Sequence, residues 1–424
     1  MDGHASSSPA PRTRPSRAQF FRAALFLGCV GFGGGLSVLA NIRALVVTKR
    51  RWLTEREFAN TVVVAQMLPG GAAANALAYI GLRFGRIPGA ALGYVGFVLP
   101  GFFAVMALAF WYVHSGTTPQ IELVLGGFNA AVVGIIGAIT LKMAKTAVSR
   151  VWQMGLAAFA LLLSIVGDAP PGEVALLSIA VGLSVDLTMK RARLASVRKY
   201  RKHEPVVLPE EGATLRVEDR REPARPPDEV HTAAWTVAVA VLAAAHWSGV
   251  DRELFSMALT FLRTGLGAYG GGFAIVPHLK TVIAREGLIT ERQFADAVAI
   301  GKLTPGPVLL LGTFIGYVRH GVIGGIVATV SILAAPFALI TLAGTWLDRV
   351  RSRRPVRAAL RGLTPAVLGL MAAAMVSLGD TLEGSGEVAI AVAVALTLSR
   401  FEINPVLMLA LGGAARIAFK LAGL

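Results

Sequence analysis

Apolar residues in this chain come in long blocks of roughly twenty, about the length at which an α-helix crosses the hydrocarbon core of a bilayer. That feature excludes most folds at once, because a soluble core does not need apolar runs of this length. Composition agrees, with 54% of the 424 residues hydrophobic and only 16% charged. The fold class expected is an all-α polytopic membrane protein.

Breaking the blocks at charges, prolines and turn residues gives candidate spans near 20–47, 58–83, 88–113, 121–147, 152–167 and 173–189. After a polar stretch come candidates near 232–250, 254–283, 294–318, 321–347, 357–378, 386–399 and 403–423, about thirteen in all. The division expected is a cytoplasmic N-terminal tail at 1–19, a first repeat at 20–189, a basic cytoplasmic linker at 190–231, an extra crossing at 232–250 and a second repeat at 251–424. With the N-terminus in the cytoplasm, this count returns the linker cations Lys190, Arg191, Arg193, Arg198, Lys199, Arg201 and Lys202 to that side, and later Arg349, Arg351, Arg353, Arg354, Arg357 and Arg361 as well. Lys49, Arg50 and Arg51 fall on the opposite side, a conflict that disappears if the first Gly-rich segment folds back instead of crossing.

The formal net charge of +16 is carried in short clusters between apolar blocks, which is topology charge rather than a nucleic-acid face. The single cysteine, Cys29, has no partner for an intramolecular disulfide or a metal cluster. Arg12, Arg14 and Arg17 ahead of an apolar run imitate a signal peptide, but the same pattern recurs internally.

Residues 20–101 and 255–337 carry the same features in the same order. Phe32-Gly33-Gly34-Gly35 answers Tyr269-Gly270-Gly271-Gly272. Leu53-Thr54-Glu55-Arg56-Glu57-Phe58 answers Ile289-Thr290-Glu291-Arg292-Gln293-Phe294. Thr54 and Thr290 are placed to N-cap, with Glu57 and Gln293 closing capping boxes. Leu68-Pro69-Gly70-Gly71 answers Thr304-Pro305-Gly306-Pro307, and Tyr79-Ile80-Gly81 answers Phe314-Ile315-Gly316. The extra crossing before the second copy makes the two inverted, a plan in which secondary transporters bind substrate near the midplane between interrupted helices.

A Gly triplet or Pro-Gly-Pro inside a membrane helix strands backbone groups that must line a cavity or meet other protein. A half-helix beginning after Pro305-Gly306-Pro307 offers N–H groups and a positive dipole end, both suited to an oxyanion, with Pro307 fitting its first turn. Asn41, Arg43, Gln66 and Asn75 in the first copy, and His278, Lys280 and Lys302 in the second, are the polar groups near the breaks. Lys302, three residues before Pro305, is the strongest candidate, since an ionisable residue at that depth is costly. Arg43 and Lys280 also suit the interface, and glycines and prolines also serve plain helix packing. Asp296, opposite Asn60 in the repeat, is a candidate proton carrier, although an acid near a helix start also suits the dipole. No P-loop, His-Glu-x-x-His or Ser/His/Asp signature is present, so neither an enzyme nor a cofactor is expected.

These residues give the chain a name by likeness: it resembles the chromate ion transporter family in its long form with two homologous halves. The second copy carries it best, in Tyr269-Gly270-Gly271-Gly272, Leu288 to Phe294, Thr304-Pro305-Gly306-Pro307-Val308 and Thr313-Phe314-Ile315-Gly316-Tyr317. The first copy adds Gly33-Gly34-Gly35, Trp52-Leu53, Gln66-x-Leu68-Pro69-Gly70 and Leu99-Pro100-Gly101-Phe102. It departs at Leu36 and Gly71, where typical members carry proline shortly after the glycines. The resemblance implies export of chromate through the bacterial inner membrane, conferring resistance, with sulfate as the close analogue. Moving a dianion out of a negative interior gains about 4.6 kcal/mol per 100 mV, which favours export driven by potential, a proton gradient or both. The alternatives are a sulfate or other oxyanion carrier and a non-transporting anion-binding scaffold or sensor. A homodimer is compatible with any of them.

Overall fold

The computed structural model describes residues 14–32, 35–115, 119–148, 150–200, 252–350, 353–401 and 403–422, and among these it is helical with no strand. Most of the linker expected at 190–231 and the whole extra crossing expected at 232–250 lie outside the described residues. Five described segments are long and apolar enough to cross a membrane: Ala72–Ser115, Glu122–Lys145, Pro171–Met189, Val308–Gly344 and Pro355–Gly379.

The first copy opens with α1 (Arg17–Cys29), α2 (Gly35–Arg43) running into a π-helical turn (Ala44–Lys49), and α3 (Glu55–Met67). α4 (Ala72–Ser115) follows, reversing direction at Gly85 and Arg86, where φ is −147° and 56°. Its limbs, 72–84 and 87–115, lie back to back, because Gly81 and Gly89 present bare backbone to one another: a Cβ on Gly81 would lie 2.1 Å from the Gly89 carbonyl oxygen. The second copy repeats this with α8 (Arg252–Leu266), a 3₁₀ segment (Gly270–Ile275), α9 (Val276–Glu286), α10 (Glu291–Leu303) and α11 (Leu311–Val350). α11 reverses at His320 and Gly321, with φ of −132° and 59°. Both capping boxes form, Thr54 with Glu57 and Thr290 with Gln293.

The candidates at 20–47 and 58–83 are not straight crossings, and a set of rim contacts gives the reason. Phe20 at the start of α1, Trp52 before α3 and Phe84 at the end of the first α4 limb form an aromatic triangle with centroids 5.6–6.3 Å apart. Arg83 donates to Glu57 over 3.2 Å beside it. The chain therefore enters, breaks and returns to the same side twice before limb 87–115 leaves. That limb alone rises about 43 Å at 1.5 Å per residue, enough to span. Lys49, Arg50 and Arg51 accordingly share a rim with the N-terminal end of α1, the arrangement expected if the first Gly-rich segment folds back. In the second copy, Thr260 of α8 donates to Glu286 at the end of α9 over 2.9 Å, and Arg319 donates to Glu253 over 2.9 Å. The candidates at 254–283 and 294–318 fold back in the same way.

The remaining helices are α5 (Pro119–Ala147), α6 (Val151–Ile165) and α7 (Pro171–Tyr200) in the first half, and α12 (Arg354–Gly379), α13 (Gly384–Arg400) and α14 (Pro405–Leu421) in the second. They are interleaved: α5 packs against α13 and α14, while α12 packs against α6 and α7. α4 and α11 pack along each other in opposite directions, since Tyr94 meets Leu333 and Phe337 whereas Met106 meets Gly325. Burying glycine and alanine at these crossings lets backbones approach closely, as helix association in lipid requires.

Candidate functional site

The four helix breaks meet at one place. Gly70, in the break between α3 and α4, donates its N–H to the Ala268 carbonyl over 2.7 Å, and Gly306, between α10 and α11, donates to the Gly31 carbonyl over 3.3 Å. Gly31 and Ala268 lie at corresponding points of the breaks after α1 and α8, so the copies exchange equivalent backbone bonds. Gly70 and Gly306 have φ of 110° and 105°, a region open to glycine and strained for other residues. A Cβ on Gly71 would lie 3.1 Å from Pro307 Cβ, so the two hairpin tips touch. Gly272 packs on Val308 and Leu309.

Each tip rests on the crossing limb of the other copy. A Cβ on Gly101 of α4 would sit 2.0 Å from the Pro305 oxygen, and one on Gly70 would sit 2.6 Å from Pro336 Cβ of α11. Pro100 and Pro336 correspond in the repeat and lie inside α4 and α11. The first tip is also tied internally: Asn75, fully buried, donates through Nδ2 to the carbonyls of Pro69 at 2.9 Å and Ala65 at 3.2 Å. Its Oδ1 is buried without a hydrogen-bond partner among the described residues. Two donated bonds fix the orientation of the amide, leaving the acceptor turned to the Gly70 side.

The N–H groups of Val308 and Leu309 carry no hydrogen bond to another described residue, nor do those of Gly71, Ala72, Ala73 and Ala74. These are the orphan donors that any helix start leaves, and an anion satisfies them well. The expectation that Pro307 sits inside the first helical turn is corrected. Pro307 is extended, with φ −75° and ψ 141°, and it precedes a 3₁₀ turn at Val308–Leu310 that runs into α11. The 3₁₀ turn arises because Leu310 donates to the Pro307 carbonyl over 3.0 Å.

Of the other residues singled out from sequence, Lys302 is buried at 7% exposure in the last turn of α10, and Thr304 caps that helix, its hydroxyl on the Ile300 carbonyl. Gln66, the counterpart of Lys302, is exposed at the end of α3. Gly35 opens α2 and Gly270, Gly271 and Gly272 open the 3₁₀ segment, while Gly33 and Gly34 lie outside the described residues. Asn41 and Arg43 are exposed on α2. Arg43 forms a bidentate ion pair with Glu55, which lowers the Glu55 pKa, about 20 Å of helix away from the tip of α3. Lys280 makes the corresponding pair with Glu291 at 3.1 Å and donates to the Ser377 carbonyl. It lines a cleft of about 480 Å³ with Asp168, Arg285 and Asp380, away from the tips. His278, in the first turn of α9, has a buried Nδ1 with no hydrogen-bond partner among the described residues. Asp296 is 2% exposed and accepts from Tyr112 at 3.0 Å and Asn129 at 3.2 Å. No local pattern in the sequence marks either partner, whereas Pro100-Gly101, which seats the second tip, stands in the repeated motif.

Comparison with known proteins bears on what this arrangement serves. A chromate transport protein of Cupriavidus metallidurans is 28% identical over 359 residues, covering 84% of this chain and 80% of its own. One of Pseudomonas aeruginosa is 26% identical over 383 residues, covering 89% and 84%. An uncharacterized transporter of Methanocaldococcus jannaschii is 25% identical over 401 residues, 94% of each chain. No solved structure matches. The Chromate transporter family model matches twice, at residues 18–185 and 255–417, one match on each copy of the broken-helix module. Two such modules meeting tip to tip in a multi-pass membrane protein, each matched by that model, make this chain a member of the chromate transporter family, and a transport protein rather than an enzyme.

Proposed function

We propose that this chain is a secondary carrier that exports chromate from the cytoplasm across the bacterial inner membrane and so confers resistance. Its copies, 20–189 and 251–424, are inverted about the meeting point of the tips, with the segment at 232–250 supplying the odd crossing. The observation that carries the reading is the convergence of four helix breaks where two helix starts, at Gly71–Ala74 and Val308–Leu309, hold N–H groups without a partner among the described residues. A tetrahedral dianion answers that need with four oxygens and two charges, and Lys302 supplies a counter-charge one turn away. The antiparallel packing of α4 and α11 supports inversion. So does charge: the first rim bears Arg17, Arg22, Lys49, Arg50, Arg51, Arg56, Arg83 and Arg86 without balancing acids in number, as a cytoplasmic face does. Potential favours outward movement of the dianion by about 4.6 kcal/mol per 100 mV.

Sulfate is the competing substrate, because backbone N–H groups read shape and charge, which the two ions share. Counterflow by purified protein in vesicles separates them: labelled chromate accumulating against unlabelled chromate, with sulfate a weaker exchanger, is expected. Counterflow with sulfate alone assigns the site to sulfate, and saturable flux of neither overturns the reading.

A further inference from the structure

The two hairpins occupy the same place in each copy but are not packed alike. α10 lies along α5, whereas α3 makes no comparable packing on α12, the counterpart of α5. Burial records the difference residue by residue. Ala295, Asp296, Ala299 and Lys302 form one face of α10 and are between 0% and 7% exposed. Their counterparts on α3 are Ala59, Asn60, Val63 and Gln66, of which Ala59 and Gln66 are exposed and Val63 is 39% exposed. Polar contacts fasten the covered face. Asp296 accepts from Tyr112 of α4 and Asn129 of α5, and one turn earlier Arg292 pairs with Glu383 at 3.2 Å and Glu122 at 3.8 Å. Among the described residues, Arg56 and Asn60 make no such contacts with α12 or with the helices beside it.

We infer that the α10–α5 contact is a closed gate on the outer side, that the α3–α12 gap is the open gate on the cytoplasmic side, and that transport exchanges the two. The inference rests on the inverted arrangement proposed above. Where two copies of one module adopt different packings, each packing is available to the other copy at small cost, and a bound anion at the shared tips shifts the balance between them. The surface that α3 would meet can be named. Gly127 of α5 approaches Gly412 as Gly362 of α12 approaches Ser178, and Gly134 approaches Ala391 as Gly369 approaches Ala157. That register makes Thr364 the counterpart of Asn129. In the outward-open state, Asn60 of α3 therefore lies against Thr364 of α12, while Asp296 leaves Tyr112 and Asn129.

The test uses the full chain with Cys29→Ser, one reporter cysteine and a membrane-impermeant thiol reagent applied to either side of oriented vesicles. Val63→Cys should react from the cytoplasmic side and Ala299→Cys should be protected. Asn60→His with Thr364→His, bridged by Zn²⁺, should reverse the pattern, slowing Val63→Cys and speeding Ala299→Cys from outside by about tenfold each, with chelation restoring both. Asp296→Asn, which keeps the side-chain shape, should raise Ala299→Cys labelling without zinc. The inference is overturned if Ala299→Cys stays protected both under the zinc bridge and with Asp296→Asn. It is also overturned if zinc leaves Val63→Cys labelling unchanged. Labelling needs no substrate, so failure of chromate counterflow would leave this result readable.

Discussion

Gly101→Ala tests the seat of the second hairpin tip. Gly101 lies in the middle of the crossing limb of α4, and a Cβ there would stand 2.0 Å from the Pro305 carbonyl oxygen and 2.6 Å from Leu310 Cδ1. The first neighbour is backbone and cannot rotate away, so the tip must withdraw by more than about 1 Å to reach ordinary contact. Overpacking of this kind costs about 1–3 kcal/mol, which lowers the fraction of correctly seated tips about 5- to 150-fold. The withdrawn segment carries Gly306, whose N–H holds the Gly31 carbonyl, and the N–H groups of Val308 and Leu309. Anion counterflow per mole of protein should therefore fall by at least about fivefold, with the protein still folded by thermal denaturation in detergent. Gly155→Ala, where an added Cβ would meet no described atom within 4 Å beyond its own helix backbone, is the control and should transport normally. A Gly101→Ala rate within about twofold of the parent would refute the seating of Pro305 on α4.

Three further outcomes follow from single contacts. Glu387 is 6% exposed on its side chain and accepts from Arg416 at 3.0 Å, so Glu387→Gln should lower stability by about 3 kcal/mol, read as a drop in melting temperature in detergent, and no drop would contradict the pair. Asn75→Asp keeps the shape but removes the amide donors to Pro69 and Ala65 and adds a negative charge beside the tips; transport should fall more than stability, measured on one preparation by counterflow and melting. Arg43→Ala removes an exposed ion pair far from the tips and should leave the counterflow rate unchanged, a result that loss of transport would contradict.

The breaks were legible because glycine and proline mark them without help from tertiary context, and the capping threonines at 54 and 290 fix where the next helices begin. That the segments fold back was visible only as a conflict of charge at Lys49 to Arg51, since hydropathy reads a hairpin of two half-helices and one full crossing alike. Interleaving of α5 with α13 and α14, and of α12 with α6 and α7, left no trace in the sequence. Those helices meet through scattered small residues such as Gly134 and Gly369, which specify closeness but not a partner. Arg43 and Lys280 correspond in the repeat, and each pairs with the same glutamate position, 55 or 291. Lys302 and Gln66 also correspond, yet one is buried and the other exposed, a difference set by packing that no local pattern encodes.

The proposed function requires that an oxyanion pass outward through the meeting point of the tips beside Lys302. It is tested most directly by chromate accumulation in chromate-sensitive cells expressing the intact protein, Lys302→Ala at matched membrane abundance, or neither. The intact protein should lower cell chromate, and Lys302→Ala should leave it at the level of cells without the protein. Higher cell chromate with the intact protein, or equal export by Lys302→Ala, would contradict it.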